Sequence, residues 1–202
     1  MNMITHIVGG GLAAVALILC LLRSCVHQNL SAILCSVIYG GSMISLYTVS
    51  SVYHGLSSGI AKKVMQVVDH CTIYFLIAGT YTPIVLCAIA PVYPMIGWGL
   101  FFAEWILAIT AAILTAIDLH AYRVFSMICY IGMGWGIIFF LPQVMQILST
   151  AGFCFLLAGG IAYTIGAVLF GMGKRIKWMH SVFHIFVVLG SMLQLIPVLL
   201  IL

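Results

Sequence analysis

His180 and His184 lie four residues apart in an apolar stretch. On a helix, that spacing stacks two imidazoles on one face, about 6 Å apart along the axis, where both can bind a single ion. His54 would complete three nitrogen ligands. Such a set suits Zn2+ and leaves a fourth position open for water, the arrangement of catalytic rather than structural zinc. Two other residues could act on that water. Ser50 precedes His54 by four residues and so shares its helix face, while Asp69 is a carboxylate able to orient water and take its proton as general base. His70 and His6 are candidates for supporting positions around the ligands. The chemistry expected of this set is metal-assisted hydrolysis.

Each piece has a plainer reading when taken alone. An isolated H-x-x-x-H on an apolar helix fits packing as well as ligation. Serines in membrane helices commonly bond back to their own backbone. The argument for a site therefore depends on the elements that carry these residues.

Of the 202 residues, 65% are hydrophobic and only 5% charged, and the mean hydropathy is +1.30. A water-soluble domain carries about 25% charged residues, so the solvent here is lipid. Backbone groups in lipid must be satisfied internally, which leaves helix bundles and closed barrels. The apolar runs last roughly 18 to 25 residues without strict alternation, the length of helices and not of barrel strands. Seven transmembrane helices are expected, at about 5–22, 30–54, 67–89, 95–116, 124–141, 152–170 and 178–202, forming one domain over 1–202. The first run lacks a basic flank and a small-residue cleavage site, so it reads as a span rather than a signal peptide. The seven cysteines form no C-x-x-C pair and behave as small hydrophobes. The net charge of +4 resides in loops and implies no nucleic-acid partner.

Loops on the N-terminal side hold Lys62, Lys63, Arg123, Lys174, Arg175 and Lys177, and the opposite side holds only Arg23. The positive-inside rule then predicts a cytoplasmic N-terminus and an outer C-terminus. This orientation brings His6, His54, Asp69, His70, His180 and His184 to one depth near the cytoplasmic face. Polar groups in lipid are costly, so a set at one depth is expected to face a shared cavity.

Other features read as packing. Gly9 to Gly11, Gly132, Gly134, Gly136, Gly159 and Gly160 suggest close helix contacts, and Pro83 is expected to kink helix three. Glu104, near the middle of helix four, needs a neutral or hydrogen-bonded state inside the bundle, with no partner evident from spacing.

The chain resembles the hemolysin III group of bacterial membrane proteins, relatives of the progestin and adipoQ receptor family that includes the adiponectin receptors. The matching residues are N-x-x-T-H at Asn2 to His6, S-S-V-Y-H at Ser50 to His54, Asp69 and His70 leading into A-G-T-Y-T-P at 78–83, M-G-W at Met133 to Trp135, and H-S-V-F-H-I-F-V-V-L-G-S at His180 to Ser191. The combination of S-x-x-x-H, an early aspartate in helix three and H-x-x-x-H also marks the alkaline ceramidases. The resemblance implies seven helices with the N-terminus inside, zinc on His54, His180 and His184, and Ser50 and Asp69 around its water. The chain departs from many relatives in lacking an acidic residue before Asn2 and in carrying Gln194 where a histidine often stands.

Three functions follow as expectations. The first is a zinc-dependent, ceramidase-like hydrolase of a lipid amide or ester that enters from the inner leaflet, affecting lipid homeostasis in a bacterial cell membrane. Asp69 would shuttle the proton and Ser50 would help bind the oxyanion. The second is a sensor or receptor of membrane lipid or energy state, with a structural zinc. The third is a pore-forming haemolysin, which ranks lowest because the outer half of the helices offers few ionisable groups for a pore lining.

Overall fold

A computed structural model of the protein describes residues 2–172 and 178–202. Lys174, Arg175 and Lys177, three of the six cations in the orientation argument, lie outside the described residues. The described residues form eight α-helices in order: α1 (Asn2–Val26), α2 (Leu30–Gly55), α3 (Ile60–Pro83), α4 (Pro94–Ile117), α5 (Arg123–Trp135), α6 (Leu141–Ile147), α7 (Thr150–Met172) and α8 (Met179–Ile201). A π-helical segment, Ile84–Ile89, extends α3, and a 3-10 segment, Gly136–Phe140, joins α5 to α6. No strand occurs among the described residues. Among the described residues, seven stretches are long and apolar enough to cross a membrane, with α5, the 3-10 segment and α6 together forming the fifth, Arg123–Ile147. The surface suits lipid, since large apolar side chains such as Ile106 and Ile117 are 63% and 71% exposed on the outside of the bundle. The chain is a multi-pass membrane protein.

Two boundaries differ from the expectation. Helix three begins at Ile60 rather than near 67, so Lys62 lies in its first turn and donates from Nζ to the Leu56 carbonyl at 2.7 Å, closing the end of α2. Hydropathy marks where lipid ends, whereas the helix continues into water on long amphipathic side chains. The fifth span reaches Ile147, because the helix resumes after its 3-10 break with Pro142 in its first turn, where the missing N–H costs no ladder bond. At Pro83 the helix passes from α to π geometry, and Ala90 N–H then bonds the Val85 carbonyl at 2.8 Å. A proline that removes one i−4 bond is a common cause of such a change in register.

Small residues set the closest helix contacts. A Cβ on Gly9 would stand 2.7 Å from the Tyr47 ring, on Gly40 2.6 Å from Leu17, on Gly159 2.7 Å from Gln194 and on Gly190 2.9 Å from Tyr163. These pairs bring α1 against α2 and α7 against α8, as small residues do in membrane interiors. Gly11, Gly132 and Gly134 correct the expectation, because a Cβ there meets nothing within 4 Å. Gly10 and Gly160 would make only ordinary contacts, at 3.7 and 3.8 Å. Glu104 is buried beside the 3-10 break, with Oε1 3.1 Å from where a Gly136 Cβ would stand and Oε2 without a hydrogen-bond partner. Tyr81 secures that break, donating to the Gly134 carbonyl at 3.1 Å and accepting from Ile137 N–H at 3.0 Å. Outside the spans, Asp118 accepts from the Ala121 and His120 backbone N–H groups, both at 2.9 Å, and these donors hold its carboxyl below the usual range.

The contrast between glycines is directly testable. Gly40→Val is expected to lower the melting temperature of the purified protein, with an overpacking cost of about 2 kcal/mol. Gly132→Ala is expected to leave it unchanged or raise it, because nothing opposes the new methyl group.

Candidate metal centre

Three separate parts of the chain meet at one end of the bundle. His54 occupies the last turn of α2, His180 and His184 the first turns of α8, and His6 the start of α1. One ring nitrogen from each of His54, His180 and His184 lies within 4.8 Å of the others. The Nε2 atoms of His180 and His184 are 3.1 Å apart, and the His54 ring centroid is 5.3 and 4.8 Å from theirs. Tetrahedral nitrogen ligation at about 2.0 Å separates donor atoms by roughly 3.3 Å, so side-chain rotation alone closes this group onto one ion.

The bonding pattern tests whether a cation fits. His54 Nε2 is buried without a hydrogen-bond partner. His184 Nδ1 is engaged by His6 Nε2 on α1, and its Nε2 faces His180. A neutral imidazole has one N–H and one lone pair. If His184 donates from Nδ1 to His6, its Nε2 lone pair points into the group with those of its neighbours, and among the described residues no donor bonds His54 Nε2. A cation is what this donor set lacks, and the residues fit a metal ion. His6 is 2% and His184 1% exposed, so this pairing is shielded from water. The site is walled by aromatic rings: Tyr47 against His6 at 5.3 Å, Tyr53 against His54 at 4.7 Å and Phe183 against His184 at 5.2 Å.

Asp69 lies well inside α3 rather than at its opening, as the earlier helix start requires. Ser50, buried on α2, and Asp69, half-buried on α3, line one cavity with His6, His180 and His184. His70 also lines this cavity, but its Nδ1 pairs with the Gln66 carbonyl at 2.7 Å on its own helix, and its ring lies 5.9 Å from Phe170. It is not among the three converging histidines. The cavity has a volume of about 490 Å³ and runs from the histidine end, past Ile84 and Val187, to Val144, Leu156 and Gln194 deep in the bundle. Gln194 had no place in the expected site. Its sequence signals are its place where relatives often carry a histidine and the fall of 184, 187, 191 and 194 on one face of a helix.

The family profile described as Haemolysin-III related matches residues 1–195. The chain is 36% identical over 198 residues to Hemolysin-3 of Bacillus cereus, covering 98% of this chain and 89% of that protein. It is 33% identical over 190 residues to the Hemolysin-3 homolog of Bacillus subtilis strain 168, covering 94% and 87%. Monocyte to macrophage differentiation factor of Homo sapiens is 30% identical over 160 residues, covering 74% of this chain and 63% of that protein.

Metal analysis of purified variants examines the centre residue by residue. Alanine at His54, His180 or His184 is expected to abolish bound metal, whereas His70→Ala keeps the wild-type stoichiometry. His6→Ala is expected to keep the site but weaken metal affinity roughly 10- to 100-fold, the usual effect of removing a partner that orients a ligand. Full metal binding by His184→Ala would place the ion elsewhere.

Proposed function

The chain belongs to the haemolysin-III related family, and we propose that it is a zinc-dependent hydrolase of a membrane lipid amide or ester. The observation that carries this reading is the convergence of three imidazole nitrogens beside an apolar cavity that Asp69 and Ser50 also line. Nitrogen-only ligation favours zinc over magnesium or calcium, which prefer oxygen. Bound zinc would polarise a carbonyl and lower the pKa of water to about 7.

The protein's own groups supply the rest. His54, His180 and His184 hold the ion, and His6 fixes the His184 ring through Nδ1. The Asp69 carboxylate orients the attacking water, takes its proton and returns it to the leaving amine or alcohol. The Ser50 hydroxyl, on the same cavity wall, would donate to charge developing on the substrate oxygen. The apolar walls exclude bulk water and accept hydrocarbon, a lining that suits an acyl chain better than hydrated ions. The cations Lys62, Lys63 and Arg123 flank the histidine end and Arg23 the other, which supports a cytoplasmic site reached from the inner leaflet of a cell membrane.

A second reading is a lipid sensor with structural zinc. Its support is that the ligands come from two helices, α2 and α8, which otherwise reach each other through long side chains: Tyr47 Oη to Ser191 Oγ at 2.7 Å and Tyr39 Oη to the Ser191 carbonyl at 3.5 Å. An ion there would lock the two helices together.

Asp69→Asn separates the two readings. The hydrolase is expected to lose metal-dependent lipid turnover by several orders of magnitude, read by mass spectrometry of lipids incubated with pure protein, while zinc content stays at the wild-type value. Turnover undiminished in Asp69→Asn excludes this mechanism, and no product from any lipid class with zinc bound favours the sensor.

A further inference from the structure

Glu104 stands apart from the metal chemistry, in the middle of an apolar helix. It is 6% exposed, its Oε2 is buried without a hydrogen-bond partner, and α4 carries no other ionisable side chain. Among the described residues no cation pairs with the carboxyl. The next residue, Trp105, donates from Nε1 to Thr82 Oγ1 at 3.1 Å and so fixes this turn of α4 against the end of α3. An ionised carboxylate held there would be an uncompensated charge inside the bundle, so the neutral acid is the form the fold accommodates.

The surroundings of the carboxyl give its proton a structural role. Oε1 lies 3.1 Å, and Tyr81 Oη 3.8 Å, from where a Cβ of Gly136 would stand, so the two oxygens share the space that this glycine leaves at the 3-10 break. Tyr81 clasps that break, donating to the Gly134 carbonyl at 3.1 Å and accepting from Ile137 N–H at 3.0 Å. The other ionisable groups on the elements packed around α4 are engaged elsewhere. Cys71 on α3 donates to the Ala112 carbonyl at 3.5 Å and Tyr74 bonds Thr115 at 2.9 Å, roughly two and three turns further along α4. On α5, Tyr130 donates to the His70 carbonyl at 2.9 Å and Cys129 packs with Tyr74, Ala111 and Ala112. Cys87 of the π segment packs against the main apolar core. Tyr81 is therefore the hydroxyl placed to answer a charge on Glu104.

We propose that Glu104 is an intramembrane proton-binding site whose occupancy keeps the break in the fifth span clasped. With the proton in place, the neutral carboxyl makes no demand on Tyr81. When the proton passes to water, the carboxylate takes the Tyr81 O–H, because a hydrogen bond to an ionised acceptor is stronger than one to a neutral carbonyl. The Gly134 carbonyl then loses its donor, and Oη is drawn away from Ile137 N–H. Tyr81, Gly134, Trp135 and Ile137 all line the cavity, so losing the proton also reshapes the cavity wall. None of this depends on a metal or on hydrolysis.

Dicyclohexylcarbodiimide, a lipid-soluble reagent that adds to a protonated carboxyl and leaves an N-acylurea, detects the proton directly. Applied to the wild-type protein in lipid vesicles at about pH 7, it is expected to modify Glu104 about tenfold or more above Asp118, an exposed carboxyl that is ionised there. The adduct, located by peptide mass spectrometry, should decline as the pH is raised. Deuterium exchange over residues 136–140, corrected for the intrinsic effect of pH on amide exchange, follows the clasp. Protection in the wild type should be present at neutral pH and lost in alkaline buffer. It should persist at both in Glu104→Gln, which stays neutral, and be absent at both in Tyr81→Phe. No adduct on Glu104 at any pH overturns the proposal, and so does protection with the same pH dependence in the wild type and Glu104→Gln. The labelling uses the wild-type chain, so it decides the matter even where a variant fails to fold.

Discussion

Four imidazole rings packed into one end of an apolar bundle impose a constraint that the rest of the structure answers. Their nitrogens converge, yet the described residues supply too few donors to satisfy them: His184 is engaged by His6 on one side and faces His180 on the other, and His54 Nε2 has no partner. In lipid, where water cannot make good the deficit, such a group is stable only around a cation or at considerable cost. The elements carrying the rings are tied together at a distance from the centre. Tyr47 packs its ring against His6 and bonds Ser191 through its hydroxyl, so α1, α2 and α8 are held by one residue below the histidines. Gly9 provides the space for that ring.

The cavity follows from the same economy of contacts. Helices α7 and α8 approach closely through Gly159 and Gly190, while the fifth span is interrupted by a 3-10 segment and held at the break by Tyr81. Close packing on one side and a broken helix on the other leave an apolar space that begins at the histidines and ends at Gln194. Its two ends differ chemically, since three imidazoles that could hold a metal ion converge beside one and the lining toward the other is mostly apolar.

Much of this was legible in the residues themselves. Apolar runs located seven spans, because lipid thickness sets helix length. The depth of His54, Asp69, His180 and His184 followed from the spans, and the structure puts these residues around one cavity mouth or directly beside it. The early start of α3 was hidden because Lys62 and Lys63 resemble a loop by hydropathy, although their long stems let a helix continue past the lipid. The pairing of His6 with His184 joins residues 178 positions apart, and no spacing rule reaches that far. His70 shares the depth of the site but turns to its own helix, since depth alone does not decide which way a side chain faces. Gln194 stood out in the sequence only as a departure from relatives, and its bond to the Leu156 carbonyl on α7 appears only in the folded chain.

X-ray absorption at the zinc edge of purified, zinc-loaded protein examines the central claim most directly. The account predicts three imidazole nitrogens and one light oxygen ligand at about 2.0 to 2.1 Å, with the multiple-scattering pattern of histidine rings. A spectrum of oxygen ligands alone, or a cysteine-type sulfur distance near 2.3 Å, would contradict it.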